Sequence, residues 1–154
     1  FTMPAVAERS GISLRTLYRY FPKRDDLVSA LASVADQTET MAPPSSLDEL
    51  EPWLVAAWSN LMRQETLLRA QHLGDAGVQI RRARVPQHRR AVADVIDTLC
   101  PSIADPARAE LVDVAVMLTS STALFEFVDV LDVDVERGAQ LAAGAVRSLI
   151  TAHR

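Results

Sequence analysis

The sequence predicts an all-α protein in which a helix-turn-helix head precedes a larger helical body. Apolar residues make up 49% of the 154-residue chain and recur at helical spacing, and only five glycines occur. No strand-like alternation of apolar and polar residues is present. This length suits one or two small units with a proper core. The head and a linking helix are expected in residues 1–40, and the body in residues 41–154.

Two short helices joined by a tight turn are expected at the start of the head. Thr2 and Ser13 stand where N-caps are needed, because their hydroxyls can accept hydrogen bonds from the orphan backbone donors of the next turn. Gly11 lies between them and can take the positive φ that ends a helix sharply. The wedge between the crossing helices is expected to hold three apolar residues: Val6, Ile12 and Leu17.

The rest of the chain predicts a run of helices, because apolar residues recur at spacings of three and four. Ser46 and Glu49 form a capping box at the start of one helix, and Pro86 suits the first turn of another. Residues 75–85 contain a basic run and give no clear periodicity. The predicted helices span residues of about 24–40, 46–64, 65–73, 86–100, 106–131 and 135–153.

Charge is distributed unevenly along the chain, whose net charge is −4. Residues 1–30 carry five basic and three acidic side chains, so the head is positive by two charges and the remainder is negative by six. A basic head on an acidic body suits a modular protein whose head alone contacts an anionic partner. The single cysteine, Cys100, fits a reducing cytoplasm. No uncharged run reaches the ~20 residues that span a bilayer, so no membrane partner is expected.

Residues 13–21 carry the most specific pattern in the chain, Ser-Leu-Arg-Thr-Leu-Tyr-Arg-Tyr-Phe. With the basic residues and the acidic pair that follow, this segment resembles the TetR/AcrR family of bacterial transcriptional repressors. In that family Thr-Leu-Tyr-x-(Tyr/His)-Phe forms the recognition helix, and a basic residue, here Arg24, opens the next helix. Lys23 departs from the family pattern, which has a small polar cap at that position. The resemblance also implies a further helix that precedes Thr2 and lies outside these 154 residues.

The resemblance implies a TetR-like fold and a ligand-responsive DNA-binding transcriptional regulator. It would be a repressor that a small, mainly apolar effector releases from a double-stranded DNA operator. The alternative is a helical ligand-binding or interaction protein whose DNA head is non-functional. Arg15 can read guanine through a bidentate contact, hydroxyls can donate to phosphate, and helix N-termini favour anions. The expected DNA-binding residues are Thr2, Leu14, Arg15, Thr16, Tyr18, Arg19, Tyr20 and Arg24.

The resemblance assigns ligand binding and dimerisation to residues 41–154. A homodimer is expected through an intermolecular four-helix bundle of the last two helices, with ordinary intrachain core as the alternative for the same apolar stripe. That stripe comprises Ala139, Ala142, Ala143, Val146, Leu149 and Ile150, with Gly138 and Gly144 permitting close approach. A pocket with apolar lining and a few polar groups suits a small molecule. Its candidate residues are Trp58, Met62, His72, Ile96, Cys100, Met117, Ser121 and Phe125.

Candidate catalytic groups are few. The three histidines lie far apart, no metal-binding spacing of cysteines or histidines occurs, and no glycine-rich phosphate loop is present. Ser120 and Ser121 lack the glycines of a nucleophile elbow. The sequence therefore predicts neither an enzyme nor a cofactor or metal site. The arginine-rich run at residues 81–90 is interpreted as solvated surface, with contact to an acidic ligand or to flanking DNA as the alternative.

Overall fold

The computed structural model describes residues 2–35, 41–72 and 74–153, and every regular element in these ranges is helical. The prediction of an all-α fold is therefore confirmed. The helices are α1 (Met3–Ser10), α2 (Leu14–Tyr20), α3 (Arg24–Ala35), α4 (Leu47–Met62), α5 (Glu65–Gln71), α6 (Gly74–Leu99), α7 (Ala107–Leu118), α8 (Ser121–Phe125) and α9 (Val135–Ala152). A π-helical turn, Glu126–Val130, continues α8.

Local capping fixes both helices at the start of the head. The amide of Ala5 donates to Thr2 Oγ1 at 3.4 Å, and the amide of Thr16 donates to Ser13 Oγ at 3.1 Å. Gly11 ends α1 with a φ of 70°, in the left-handed region that favours glycine. These three positions follow the capping pattern that the sequence predicts.

The core of the head differs from the prediction at one residue. Leu17 is 2% exposed, but Ile12 is 41% exposed, so the prediction that Ile12 fills the wedge between the helices is wrong. Met3 is buried beside Leu17 instead, together with Ala7 and Leu27. The reason is geometric, because Ile12 lies in the turn outside both helices. Met3 lies in the first turn of α1 and has a long, unbranched side chain that adapts to the gap.

The start of α3 is capped by a residue within the helix. The backbone amide of Lys23 donates a hydrogen bond to Asp26 Oδ2 at 2.8 Å. This is one of the two hydrogen bonds of a capping box, the one from the N-cap amide to the side chain three residues later. The helix therefore starts without the small polar side chain that the family pattern has at the position of Lys23. The predicted extension of this helix over residues 36–40 lies outside the described residues.

The helix α6 is longer than the sequence predicts. It begins at Gly74 and continues through Pro86 to Leu99, whereas the predicted helix starts at Pro86. A proline inside a helix removes one backbone hydrogen bond. That loss is tolerated because α6 packs against α3, α5 and α7. Val28 of α3 and Ile80 of α6 form a small buried cluster, which joins the head to the body.

The body is built around α4 and α9, which pack along each other. Trp58 of α4 is fully buried, its Nε1 donates to the backbone oxygen of Thr119 at 3.3 Å, and its ring lies 5.9 Å from that of Phe127. The apolar stripe of α9 is buried within this core at Ala139, Ala142, Ala143, Val146 and Ile150. The intrachain alternative for the stripe is therefore correct, and the prediction that it forms the dimer surface is wrong.

The predicted helix over residues 106–131 is interrupted after α7. Ser120 is extended, and its hydroxyl caps α8 by accepting the amide of Ala123 at 3.1 Å. Serine and threonine compete for backbone hydrogen bonds and so favour such breaks. No single described helix is long and apolar enough to span a membrane; only the bent pair Ala107–Leu118 and Ser121–Val130, at 43°, reaches that length and composition together.

Candidate nucleic-acid interface and ligand site

The helix α2 has one buried and one exposed face. Leu17 packs into the core of the head, so the residues on the opposite side of α2 project outward. Six of the eight predicted DNA-binding residues are exposed, whereas Thr16 and Arg24 are partly buried. The exposed six are Thr2, Leu14, Arg15, Tyr18, Arg19 and Tyr20.

The exposed face of α2 combines an unpaired arginine with an arginine–tyrosine pair. Arg15 has no hydrogen-bond or ion-pair partner among the described residues, so its guanidinium is available to a base edge. Arg19 Nη2 donates to Tyr20 Oη at 3.2 Å, and its guanidinium carbon lies 5.0 Å from the centroid of that ring. The hydroxyl of Thr16 is hydrogen-bonded to Ser13 Oγ at 2.8 Å and therefore takes part in the cap of α2.

Two helix N-termini, those of α1 and α3, lie before and after α2 in the chain. Thr2 caps α1, and Arg24 opens α3 with its Nη1 3.9 Å from Asp25 Oδ1. Backbone donors and the helix dipole favour a phosphate at such positions. Tyr18 and Tyr20 are 45% and 64% exposed, which is unusual for aromatic residues that have only a packing role. The face can therefore offer hydroxyl, guanidinium and backbone donors to a polyanion.

Three of the eight predicted ligand-binding residues meet between α5 and α8. His72 Nε2 lies within hydrogen-bond distance of Ser121 Oγ, at 3.1 Å, and its ring stands edge-on to Phe125 with 4.9 Å between centroids. Burial, followed by the positive charges of Arg81 and Arg69, lowers the pKa of His72 below its ordinary value. His72 is therefore neutral at about pH 7.

Arg69 closes this cluster on its outer side. Its guanidinium carbon lies 4.6 Å from the Phe125 ring centroid, and its nitrogens bind both oxygens of Asp129 at 2.6 and 2.9 Å and Glu65 at 2.7 Å. The bonds to Asp129 raise the pKa of Arg69, and the same bonds lower the pKa of Asp129. Sequence reasoning missed this pair because 60 residues separate its members. The only local signal is the four-residue spacing of Glu65 and Arg69.

The other five predicted ligand-binding residues lie elsewhere. Three belong to the main core and are at most 1% exposed: Trp58, Ile96 and Cys100. Met62 is partly buried against the same core at the end of α4. Met117 is 62% exposed, so the prediction that it lines an interior pocket is wrong. The break at Ser120 ends the helical periodicity that placed Met117 and Ser121 on one face.

Metal ligands do not gather in the described part of the chain. No group of three histidine, cysteine, aspartate or glutamate side chains there could hold a metal ion. The thiol of Cys100 is buried and faces the backbone oxygen of His153 at 3.8 Å. The cysteine therefore packs as a small apolar residue.

The comparison with known families supports the reading of the head. Residues 1–31 match the family model described as bacterial regulatory proteins, tetR family. This range contains α1, the turn, α2 and the first part of α3. No curated protein and no solved structure matches the chain. The matched head and the all-α fold support a DNA-binding regulator of the tetR family, and the match itself covers the head alone.

Proposed function

We propose that the protein is a ligand-responsive repressor that binds a double-stranded DNA operator as a homodimer in the cytoplasm and has no catalytic role. A small, mainly apolar effector releases it from the operator. The exposed face of α2 is the observation that carries this proposal. A ligand-binding or interaction protein with a non-functional head is the alternative, and the experiment below distinguishes the two.

Base reading is assigned to Arg15, which is exposed and unpaired among the described residues. A bidentate contact from an arginine to guanine depends on the base pair it meets. Phosphate contacts are assigned to Tyr18, to the Arg19–Tyr20 pair and to the start of α3. Such contacts fix the position of the head and make its affinity depend on salt, with no dependence on sequence.

The proposed dimer surface is the outer side of α7 and α9. Val114 and Met117 on α7 are 44% and 62% exposed, and Leu141 on α9 is 40% exposed. A Cβ at Gly144 would meet no atom within 4 Å, so a neighbouring helix has space to approach α9 there. Exposed apolar side chains of this kind favour an interaction surface. A two-fold dimer would match a near-palindromic operator.

We assign the coupling between effector binding and DNA binding to α3. This helix begins at the head, and its Val28 packs on Ile80 of α6. The residue after Ile80 is Arg81, whose charge helps to lower the pKa of His72. Two heads must meet major grooves about 34–36 Å apart, so a modest swing of α3 would break the match. Linkage then requires that operator binding weakens effector binding by the same factor.

The experiment starts with selection of genomic fragments by the full-length protein, followed by anisotropy titrations of the selected operator. For Arg15→Ala we expect a loss of ~1–3 kcal/mol on the operator and relaxed preference at one base pair in each half-site. Arg9→Ala is the matched control, because Arg9 is an exposed arginine of α1, away from the helix assigned to base reading, so its loss should affect all duplexes alike. Equal losses on operator and random duplexes for Arg15→Ala would refute base reading. Failure to select any fragment would favour the alternative function.

A further inference from the structure

A buried hydrogen-bond donor without an acceptor lies beside an arginine where α5 meets α6. Gln71, the last residue of α5, is only 3% exposed, and its side-chain Nε2 has no hydrogen-bond partner among the described residues. Arg81 of α6 also reaches this residue, because its Nη1 donates to the backbone oxygen of Gln71 at 2.6 Å. We call these two residues the donor corner.

The two arginines beside His72 differ in how their charges are compensated. Arg69 is held by the carboxylates of Asp129 and Glu65. Arg81 is partly buried, and its one hydrogen bond among the described residues is to a neutral carbonyl. Its positive charge therefore remains uncompensated by any described carboxylate.

A buried donor that lacks an acceptor destabilises a protein unless a water or a ligand supplies the acceptor. The donor corner offers an amide N–H and a guanidinium, and the backbone oxygen of Gln71 is already occupied by Arg81. The chemical complement of such a corner is a small oxyanion of single charge. A carboxylate fits this description better than a dianionic phosphate, since one uncompensated arginine supplies one charge.

The surroundings of the donor corner indicate what the carboxylate is attached to. His72 follows Gln71 directly, and its ring packs edge-on against Phe125, which is 7% exposed. An aromatic wall beside polar donors suits a ligand with an apolar body and a polar head.

We propose that Gln71 and Arg81 bind the carboxylate of an organic acid whose apolar body packs towards Phe125, and that this acid is the effector. This inference rests on the ligand-responsive function proposed above, and it adds an acidic head group to the mainly apolar effector. The link to the DNA head is short along α6. Ile80, the residue before Arg81, packs on Val28 of α3, so a carboxylate that draws Arg81 away from the Gln71 carbonyl would disturb this contact.

The test titrates 15N-labelled full-length protein with matched pairs of an acid and its amide: octanoate with octanamide, and benzoate with benzamide. We expect each acid to bind at least tenfold more tightly than its amide and to shift the side-chain amide signal of Gln71. Gln71→Met removes the donor without adding charge and should reduce the acid's advantage at least tenfold. Gln71→Glu should abolish acid binding through repulsion. Gln87→Glu, the same change at an exposed position of α6, should leave it intact.

Inorganic phosphate serves as a third probe. Equal affinities within both pairs, or phosphate binding as tight as octanoate binding, would overturn the assignment of a carboxylate site. Operator affinity is measured separately by anisotropy with and without each compound. Operator release by octanamide as well as by octanoate would keep the ligand response and overturn the acidic head group. Tight acid binding with unchanged operator affinity would overturn the effector role, while the shift of the Gln71 signal would still establish the site.

Discussion

Two glycines of α9 provide a matched test of packing in the body. A Cβ at Gly138 would lie 3.0 Å from Phe127 Cβ and 3.2 Å from Trp58 Cζ3. Trp58 is fully buried and its indole is tied to the backbone of Thr119, so the ring has little freedom to move away. At Gly144 a Cβ would meet no atom within 4 Å. The same substitution by alanine therefore meets crowding at one position and open space at the other.

Both substitutions gain helix propensity of about 1 kcal/mol. Gly144→Ala should therefore raise the free energy of unfolding by about that amount. Gly138→Ala adds an overpacking cost of ~1–3 kcal/mol, which leaves it between neutral and destabilising by ~2 kcal/mol. Because the propensity gain cancels in the comparison, the two variants should differ by ~1–3 kcal/mol.

Urea unfolding followed by far-ultraviolet circular dichroism measures this difference. Each variant is unfolded at two protein concentrations, because association of folded chains would raise the apparent stability in a concentration-dependent way. If Gly138→Ala and Gly144→Ala change the free energy of unfolding equally, the close packing of α9 on Trp58 is refuted.

Three further predictions concern the cap of α3, the buried histidine and the dimer surface. Asp26→Ala should lower the free energy of unfolding by ~0.5–2 kcal/mol, because the Lys23 amide loses its acceptor. The control Asp25→Ala removes the same charge at the neighbouring position and should change the free energy of unfolding little. Equal effects of the two variants in thermal unfolding would contradict the cap. Burial and the nearby arginines lower the pKa of His72 in the folded protein, so the unfolded chain binds this proton at higher pH than the folded one. The free energy of unfolding should therefore fall as the pH drops below about 6.5, by at most ~1.4 kcal/mol per pH unit. Urea midpoints measured from about pH 8 to about pH 5 should show this slope, and the slope should be smaller in His72→Gln. Met117→Glu should weaken the proposed dimer, which light scattering at micromolar concentration measures. The control is Ile12→Glu, which makes the same kind of change at another exposed apolar residue. A fully dimeric Met117→Glu protein would place the contact elsewhere.

Much of the head follows from the sequence because its signals are local. Thr2 and Ser13 cap the helices that directly follow them, and the positive φ of Gly11 is a property of one residue. Ile12 could not be placed in this way, since its exposure depends on whether Met3, nine positions earlier, fills the same space. Local rules therefore fix the helices of the head and leave part of its core undetermined.

The body depends on contacts that sequence periodicity does not encode. Pro86 lies inside α6, although proline favours the start of a helix. Packing of α6 against α3, α5 and α7 outweighs this local preference. The contact between His72 and Ser121 joins residues that are 49 positions apart. The side-chain nitrogen of Gln71 has no hydrogen-bond partner among the described residues, and this matters only because the fold buries it. The sequence shows the apolar stripe of α9, but whether α4 or a second chain covers this stripe depends on tertiary packing.

The aromatic residues divide this protein optically into two parts. The chain has two tryptophans and two tyrosines. Trp53 and Trp58 both lie on α4, whereas Tyr18 and Tyr20 both lie on α2. Indole emission, excited at the red edge of the absorption band, therefore reports on the body alone, and phenol emission, which lies at shorter wavelength, reports on α2. A single unlabelled sample can thus show whether the head and the body respond together or in sequence to denaturant, or to the proposed operator and effector.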